Sequence, residues 1–240
     1  MPIGKEEIEM REFTLEERSV RVADKDEIRK VLCRNAYYQS ANQRERALDT
    51  LWVSSPDLAA TASYGMNWGY YVGMDEIRRY YVDGNPFGAA GTAVSHAVCT
   101  IRVMIAEDGK TAQAMWYETA YEIHTVEGNP HPLWVDSKVA ADLVKEADGW
   151  KIWHFFVGVD LAAQPGGAFE DIPVDTSAEE DLLREKFGQP TLPMEAYVNR
   201  YNYYVYPPIP EPYESFDQVT SYGPEGNPNY CGNAEVSHES

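Results

Sequence analysis

The stretch SHAVCTIRVMIAEDGKTAQAMWYETAYEIHTV, residues 95–126, constrains the fold more than any other part of the chain. Ile101, Val103 and Ile105 recur at period two, as do Ala112, Ala114 and Trp116, and Glu107-Asp108-Gly109-Lys110 lies between the two runs. An Asp-Gly pair between alternating runs signals a hairpin, because the tight turn needs residues that accept positive φ. The second strand runs well past the usual length of about five or six residues. A strand that long belongs in a strongly curved sheet. It also carries Trp116, Glu118, Tyr121 and His124, which is much chemistry for a structural element.

Helices are expected before this hairpin. Asp24 and Glu27 have capping-box spacing, and Ile28, Val31, Leu32, Asn35 and Tyr38 then share one helical face. That face starts apolar and turns polar and aromatic, as a helix does when one end packs and the other lines a cavity. A second helix is expected over 44–52 and a third over 74–82, with irregular or short-strand material at 53–73. Beyond the hairpin, 128–132 reads as a loop, 133–135 as the start of a strand and 138–146 as strand. Ala147-Asp148-Gly149 is a second turn, leading into the aromatic, β-branched run WKIWHFFVGVD. This divides the chain into an arm (1–23), a main domain (24–162) and a Pro- and Tyr-rich extension (163–240) that packs on the domain or on a partner subunit. Within the extension, Thr176 and Glu179 are spaced to cap a short helix ending at Phe187, and the tail past Ser221 is expected to be mobile.

Charge narrows the partners. The net charge of −19 argues against nucleic acid and against anionic membrane surfaces, both of which need basic patches. Three cysteines without metal-like spacing suit a reducing compartment better than a disulfide framework. The charged N-terminus shows no secretory signal, and no apolar run is long enough to cross a bilayer, so the expectation is a cytoplasmic protein.

Four stretches resemble the nuclear transport factor 2-like fold, in its SnoaL-like branch. They are DEIRKVLCRNAYY, GMDEIRRYYV, SHAVCTIRVMIAEDGKTAQAMWYETAY and VKEADGWKIWHF, together spanning about residues 20–160. The resemblance implies a cone-shaped α+β barrel, a curved antiparallel sheet wrapped on three N-terminal helices, with one deep pocket between them. It also implies a homodimer or higher oligomer, a small aromatic or polycyclic substrate and no cofactor. Catalytic members of this branch include polyketide cyclases, ketosteroid isomerases, scytalone dehydratases and lyases that release formaldehyde from diaryl compounds. The dehydratases carry a Tyr on the first helix with an Asp five residues later. Asn35 and Ser40 stand at those positions here, so that acid/base pair is absent. A His at the start of the first hairpin strand does match, as His96, and an Arg in the third helix, Arg78, resembles an oxyanion- or hydroxyl-binding group of the lyases.

The residues suggest matching chemistry. His96 exchanges protons near neutrality, since an ordinary histidine has a pKa of about 6.5. Alternation places His96, Val98 and Thr100 on one face, with buried packing as the competing role for the histidine. His154 in the last strand competes for the same task, while His124 and His131 sit near a loop and are expected to be exposed. Tyr38 could hydrogen-bond a substrate oxygen, Arg78 could stabilise developing negative charge, and Glu118 could act as a base in an aromatic pocket. Tyr64, Trp68, Tyr81, Trp116, Trp134 and Phe156 are candidate pocket walls for a flat ligand, alongside His154. No metal site is expected, and no phosphate loop or nucleophile elbow occurs. These features lead to a lyase acting on a hydroxylated aromatic or polycyclic molecule by dehydration or by C–C cleavage. An isomerase or cyclase, or a non-catalytic binding module, is the alternative.

Overall fold

The computed structural model describes residues 11–85, 87, 90–126, 129–166, 188–194, 206–228 and 230. Its first helix, α1 (Leu15–Ser40), opens nine residues before Asp24, where the sequence shows an earlier capping pair. Thr14 Oγ1 accepts from the Glu17 N–H, and the Glu17 carboxylate accepts from the Thr14 N–H. Asp24 is buried in mid-helix instead. Its carboxylate accepts from Lys145 Nζ at 2.6 Å and Trp150 Nε1 at 2.9 Å, fastening α1 to the sheet. The helix α2 (Arg44–Leu51) lies near its expected place. The segment expected to be irregular holds a helical turn, α3 (Pro56–Thr61), and a small hairpin, β1 (Ser63–Met66) with β2 (Gly69–Val72). A short helix, α4 (Met74–Arg78), then widens into a π-helical turn, Arg79–Asp83.

Four long strands follow: β3 (Ala93–Ile105), β4 (Thr111–Val126), β5 (Asn129–Glu146) and β6 (Gly149–Ala163). A two-residue strand, β7 (Leu192–Pro193), completes a seven-stranded sheet in the order β3-β4-β5-β6-β1-β2-β7. The fold is α+β, a curved sheet against N-terminal helices, but the sheet stays open and β1 runs parallel to β6. The expected loop at 128–132 is in part strand, since β5 begins at Asn129 and pairs with β4 through Pro130 and Pro132. Prolines are tolerated there because pairing with β6 begins only at Trp134.

Two apolar layers form, one on each sheet face. The inner layer joins Ile28, Leu32 and Leu51 of the helices to Trp116, Val139 and Phe155 of the sheet. The outer layer joins Met115, Ala140 and Phe156 to Tyr206 and Tyr222 of the C-terminal segment. Residues 221–228, within the tail expected to be mobile, are packed here: Tyr222 and Asn227 are almost completely buried. Burial of one such aromatic side chain contributes about 1.5–3 kcal/mol. The Thr176–Phe187 helix lies outside the described residues.

Bulges decide which side chains reach the inner layer. In β3 the register with β4 shifts between Cys99 and Arg102. Thr100, exposed and at φ 53°, lies in that shift. His96 and Val98 face inward before it, and Val103 and Ile105 face inward after it. Thr100 therefore does not share a face with His96. In β6, Asp142 pairs with His154 while Leu143 pairs with Ile152, so Trp153 is the extra residue. Trp150 and Ile152 face inward before it and Phe155 after it, which turns His154 and Phe156 outward.

Candidate functional site

Glu118 projects from β4 onto the inner face, in phase with Ala112, Ala114 and Trp116. It is 8% exposed, and both carboxylate oxygens are engaged. Trp116 Nε1 donates to Oε2 at 3.0 Å, and His96 Nδ1 meets Oε1 at 2.8 Å. A carboxylate oxygen accepts, so the 2.8 Å contact orients a proton on Nδ1, and in the neutral imidazole Nε2 then carries the lone pair. That Nε2 is buried and has no hydrogen-bond partner among the described residues. The His96 backbone N–H donates to Ser40 Oγ at 3.0 Å, tying β3 to the last turn of α1. Ser40, at the position where the dehydratase pattern has its Asp, thus holds the histidine's backbone, while Glu118 supplies the carboxylate from the opposite strand.

Two buried tyrosines, Tyr81 and Tyr64, lie near enough to Glu118 to feel its charge. Burial, opposed in part by the Arg44 guanidinium and reinforced by Glu118, pushes the Tyr81 phenol above its ordinary pKa. Burial also raises Tyr64, with Tyr80 and Tyr81 reinforcing it. Such phenols stay protonated at neutral pH and act as donors rather than bases. Asn35 Oδ1 and Trp52 Nε1, on the helical side of the inner layer, are also buried with no hydrogen-bond partner among the described residues, whereas Ser63 Oγ, likewise unpartnered, lies on the outer face with His154. Unsatisfied polar atoms are rare in a folded interior.

The wall residues separate into two groups. Tyr64, Trp68, Tyr81 and Trp116 all belong to the inner layer. They rest on one another: Tyr64 lies 5.4 Å from both Tyr81 and Phe155, and Trp116 meets Phe155 edge-on at 5.6 Å. Trp134 is 50% exposed on the outer face, where it packs against Tyr121. It shares the parity of Ala140 and Asp142, so it cannot line the interior. Phe156 is on the outer face for the reason given by the Trp153 bulge, and so is His154. His154 Nδ1 meets Asp142 Oδ2 at 2.8 Å beneath the C-terminal segment.

Arg78 points away from the interior. It bridges Glu45 at 3.2 Å and Asp49 at 2.7 Å on α2, because Ile77 and Tyr81 occupy the inward phase of α4 and its π turn. Tyr38 is half-buried at the edge of α1, under the Arg46 guanidinium at 5.0 Å. Tyr38 packs against the inner layer, and the buried Asn35 and Gln39 and the His96-bonding Ser40 share that side of α1 with it. One pair escaped the sequence reading. His124, expected to be exposed, is largely buried; its Nε2 meets Glu122 Oε2 at 2.7 Å and its ring lies 4.8 Å from Phe87. The signal was present: Glu122 and His124 continue the parity of Glu118.

No helix among the described residues is long and apolar enough to cross a membrane. A family model for a SnoaL-like domain matches residues 20–155. No curated protein matches the chain. Among solved structures, a candidate scytalone dehydratase from Novosphingobium aromaticivorans superposes with a TM-score of 0.50 at 14% identity, over 63% of this chain and 93% of that one. A type 2 hexachlorocyclohexane dehydrochlorinase, LinA, also gives 0.50 at 13% identity, over 63% and 95%. An NTF2-like protein with a cystatin-like fold, also from N. aromaticivorans, gives 0.45 at 19% identity, over 65% and 94%.

Proposed function

The chain belongs to the SnoaL-like domain family, and on that premise we propose that it is a lyase that acts on a hydroxylated aromatic molecule by acid/base elimination, with side chains alone. The observation that carries this reading is the chain Trp116–Glu118–His96, which leaves a buried Nε2 with no partner among the described residues. Two structural neighbours named as eliminating enzymes share the fold, which is consistent with the reading without fixing a substrate.

In the reaction, His96 Nε2 takes a proton from a substrate hydroxyl or carbon. Glu118 stabilises the imidazolium that forms and keeps the ring oriented. For cleavage of a primary alcohol, the O–H pair becomes the C=O of formaldehyde and the adjacent C–C bond breaks. The pair from that bond forms a C=C bond and expels a hydroxyl from the next carbon. A proton from the Tyr81 phenol lets it leave as water. In simple dehydration, His96 removes the proton from carbon and the same phenol assists the leaving hydroxyl. The tightly stacked aromatic interior also suits a non-catalytic binding module.

One experiment separates the two. Purified protein is incubated with a panel of hydroxylated diaryl alcohols, and released formaldehyde and alkene product are quantified. Turnover that disappears in His96→Ala supports the lyase. Equal behaviour of the wild type and His96→Ala on every substrate turned over removes it.

A further inference from the structure

An open cavity of about 540 Å³ lies at the turn between α1 and α2, lined by Asn42, Gln43, Arg44, Glu45, Arg46, Val82 and Asn85. Two guanidinium groups meet there, Arg44 and Arg46, and like Arg18, Arg21, Arg29 and Arg34 they have no carboxylate within 4.0 Å among the described residues, whereas Arg11, Arg78, Arg79 and Arg102 are paired. Glu45 does not compensate for them, because it is bridged to Arg78 at 3.2 Å.

Arg44 is held in place without using its donors. Its guanidinium lies 4.9 Å above the Tyr81 ring and 5.3 Å from the Phe87 ring. Among the described residues its one hydrogen bond is a long contact from Nη1 to the Tyr81 carbonyl at 3.4 Å, and its buried Nε has no partner. A preorientated guanidinium fork with free donors is matched best by a planar carboxylate. Arg46 stands beside it, bonded only to Gln43 Oε1 at 3.3 Å. The cavity has the size of a small-molecule site. It is also next to the interior: Arg44 lies over Tyr81, a member of the inner layer, and over Phe87, which packs on His124.

We propose that this groove receives the carboxylate of an aromatic acid, with Arg44 as its main donor, so that the substrate of the His96 site is an anionic rather than a neutral aromatic. The substrate assignment rests on the lyase reading; the carboxylate site itself does not. Attraction to Arg44 would hold the acid group at the rim, with the ring lying along the groove beside Val82. The Asn42 amide nitrogen is a further donor there, its Oδ1 being occupied by Asn85 Nδ2.

The test uses 4-hydroxybenzoate and its neutral amide, 4-hydroxybenzamide, titrated calorimetrically against the full chain. The wild type should bind the acid about tenfold more tightly than the amide, or better, as expected for a charge-assisted hydrogen-bonded pair. Arg44→Gln should abolish that preference, Arg44→Lys should keep part of it, and Arg46→Gln should weaken it by no more than about fivefold. If Arg44→Gln fails to fold, the wild type still decides the matter. The acid, and not the amide, should protect Arg44 from phenylglyoxal, read by peptide mass. The proposal is overturned if neither probe binds saturably, if both bind alike, or if folded Arg44→Gln keeps the preference. A preference for the acid without any aromatic turnover would leave the groove standing and remove the lyase. His96-dependent turnover without that preference would do the reverse.

Discussion

Each face of the sheet carries a histidine–carboxylate pair bonded through Nδ1 at the same distance. On the inner face His96 Nδ1 meets Glu118 at 2.8 Å, and on the outer face His154 Nδ1 meets Asp142 at 2.8 Å. What differs is how the remaining valences are filled. Asp142 also accepts from Gln113 Nε2 at 3.1 Å and from the Tyr222 N–H at 2.7 Å, and Gly223 closes over the His154 ring. That pair is a clasp, which pins the C-terminal segment to the sheet. Glu118 is filled from the strand itself, and His96 keeps one nitrogen free in an interior lined by phenols. A histidine–carboxylate pair is therefore weak evidence of catalysis. The unfilled valence, and what it faces, is the stronger sign.

Exchanging the two roles by mutation tests this contrast most severely. His96→Gln should lower turnover by about a thousandfold, within the range for losing a general base, and leave the thermal melt nearly unchanged. His154→Gln should do the opposite, lowering the melting temperature with turnover largely kept. Activity assays beside calorimetric melts on both variants give the answer, and an inverted pattern would sink the assignment of the inner pair. Glu118→Gln comes next. It keeps the shape but can no longer fix the Nδ1 proton or stabilise an imidazolium, so kcat should fall by about a hundredfold with KM little moved.

Asp142→Asn should leave the active site working but cost about 2 kcal/mol of stability, the usual penalty for unsatisfied buried partners. Hydrogen exchange should then rise in 206–228 before it rises in the β4–β5 ladder. Uniform exchange across both would mean that the clasp does not hold the segment. The smallest effect concerns the bulge that points His96 inward. Thr100 at φ 53° is strained for a β-branched residue, and Thr100→Gly should gain about 1 kcal/mol without changing turnover. A loss of stability in a denaturant melt would show that the threonine side chain has a role of its own.

Much of this was open to reading from residue order alone, and the failures have local causes. The central hairpin was legible because Asp108-Gly109 separates two runs of unbroken parity near the turn. The inward position of Glu118 was legible because β4 pairs with β5 without a register shift from Thr111 to Val126. His154 and Phe156 were misplaced because one extra residue, Trp153, reverses parity, and nothing in WKIWHFF distinguishes a bulged residue from a paired one. Two capping signatures lie ten residues apart, at Thr14–Glu17 and Asp24–Glu27. Only the distant partners of Asp24, Lys145 and Trp150, decide between them. Arg78 is suggested by the resemblance alone; Ile77 and Tyr81, one helical turn apart, take the inward phase and leave Arg78 to face α2.

The stacked rings of the interior carry a kinetic consequence. Tyr64 touches Trp52, Tyr80, Tyr81 and Phe155 at once, so a flat ligand must displace a ring before it can occupy their place. If only a small fraction of molecules has the ring displaced at any moment, the apparent dissociation constant is the intrinsic one divided by that fraction. Observed binding rates should then level off with rising ligand concentration, at the rate of ring opening. Trimming Tyr64 to leucine should raise that plateau and tighten apparent binding together, an effect opposite in sign to the usual loss on removing an aromatic contact.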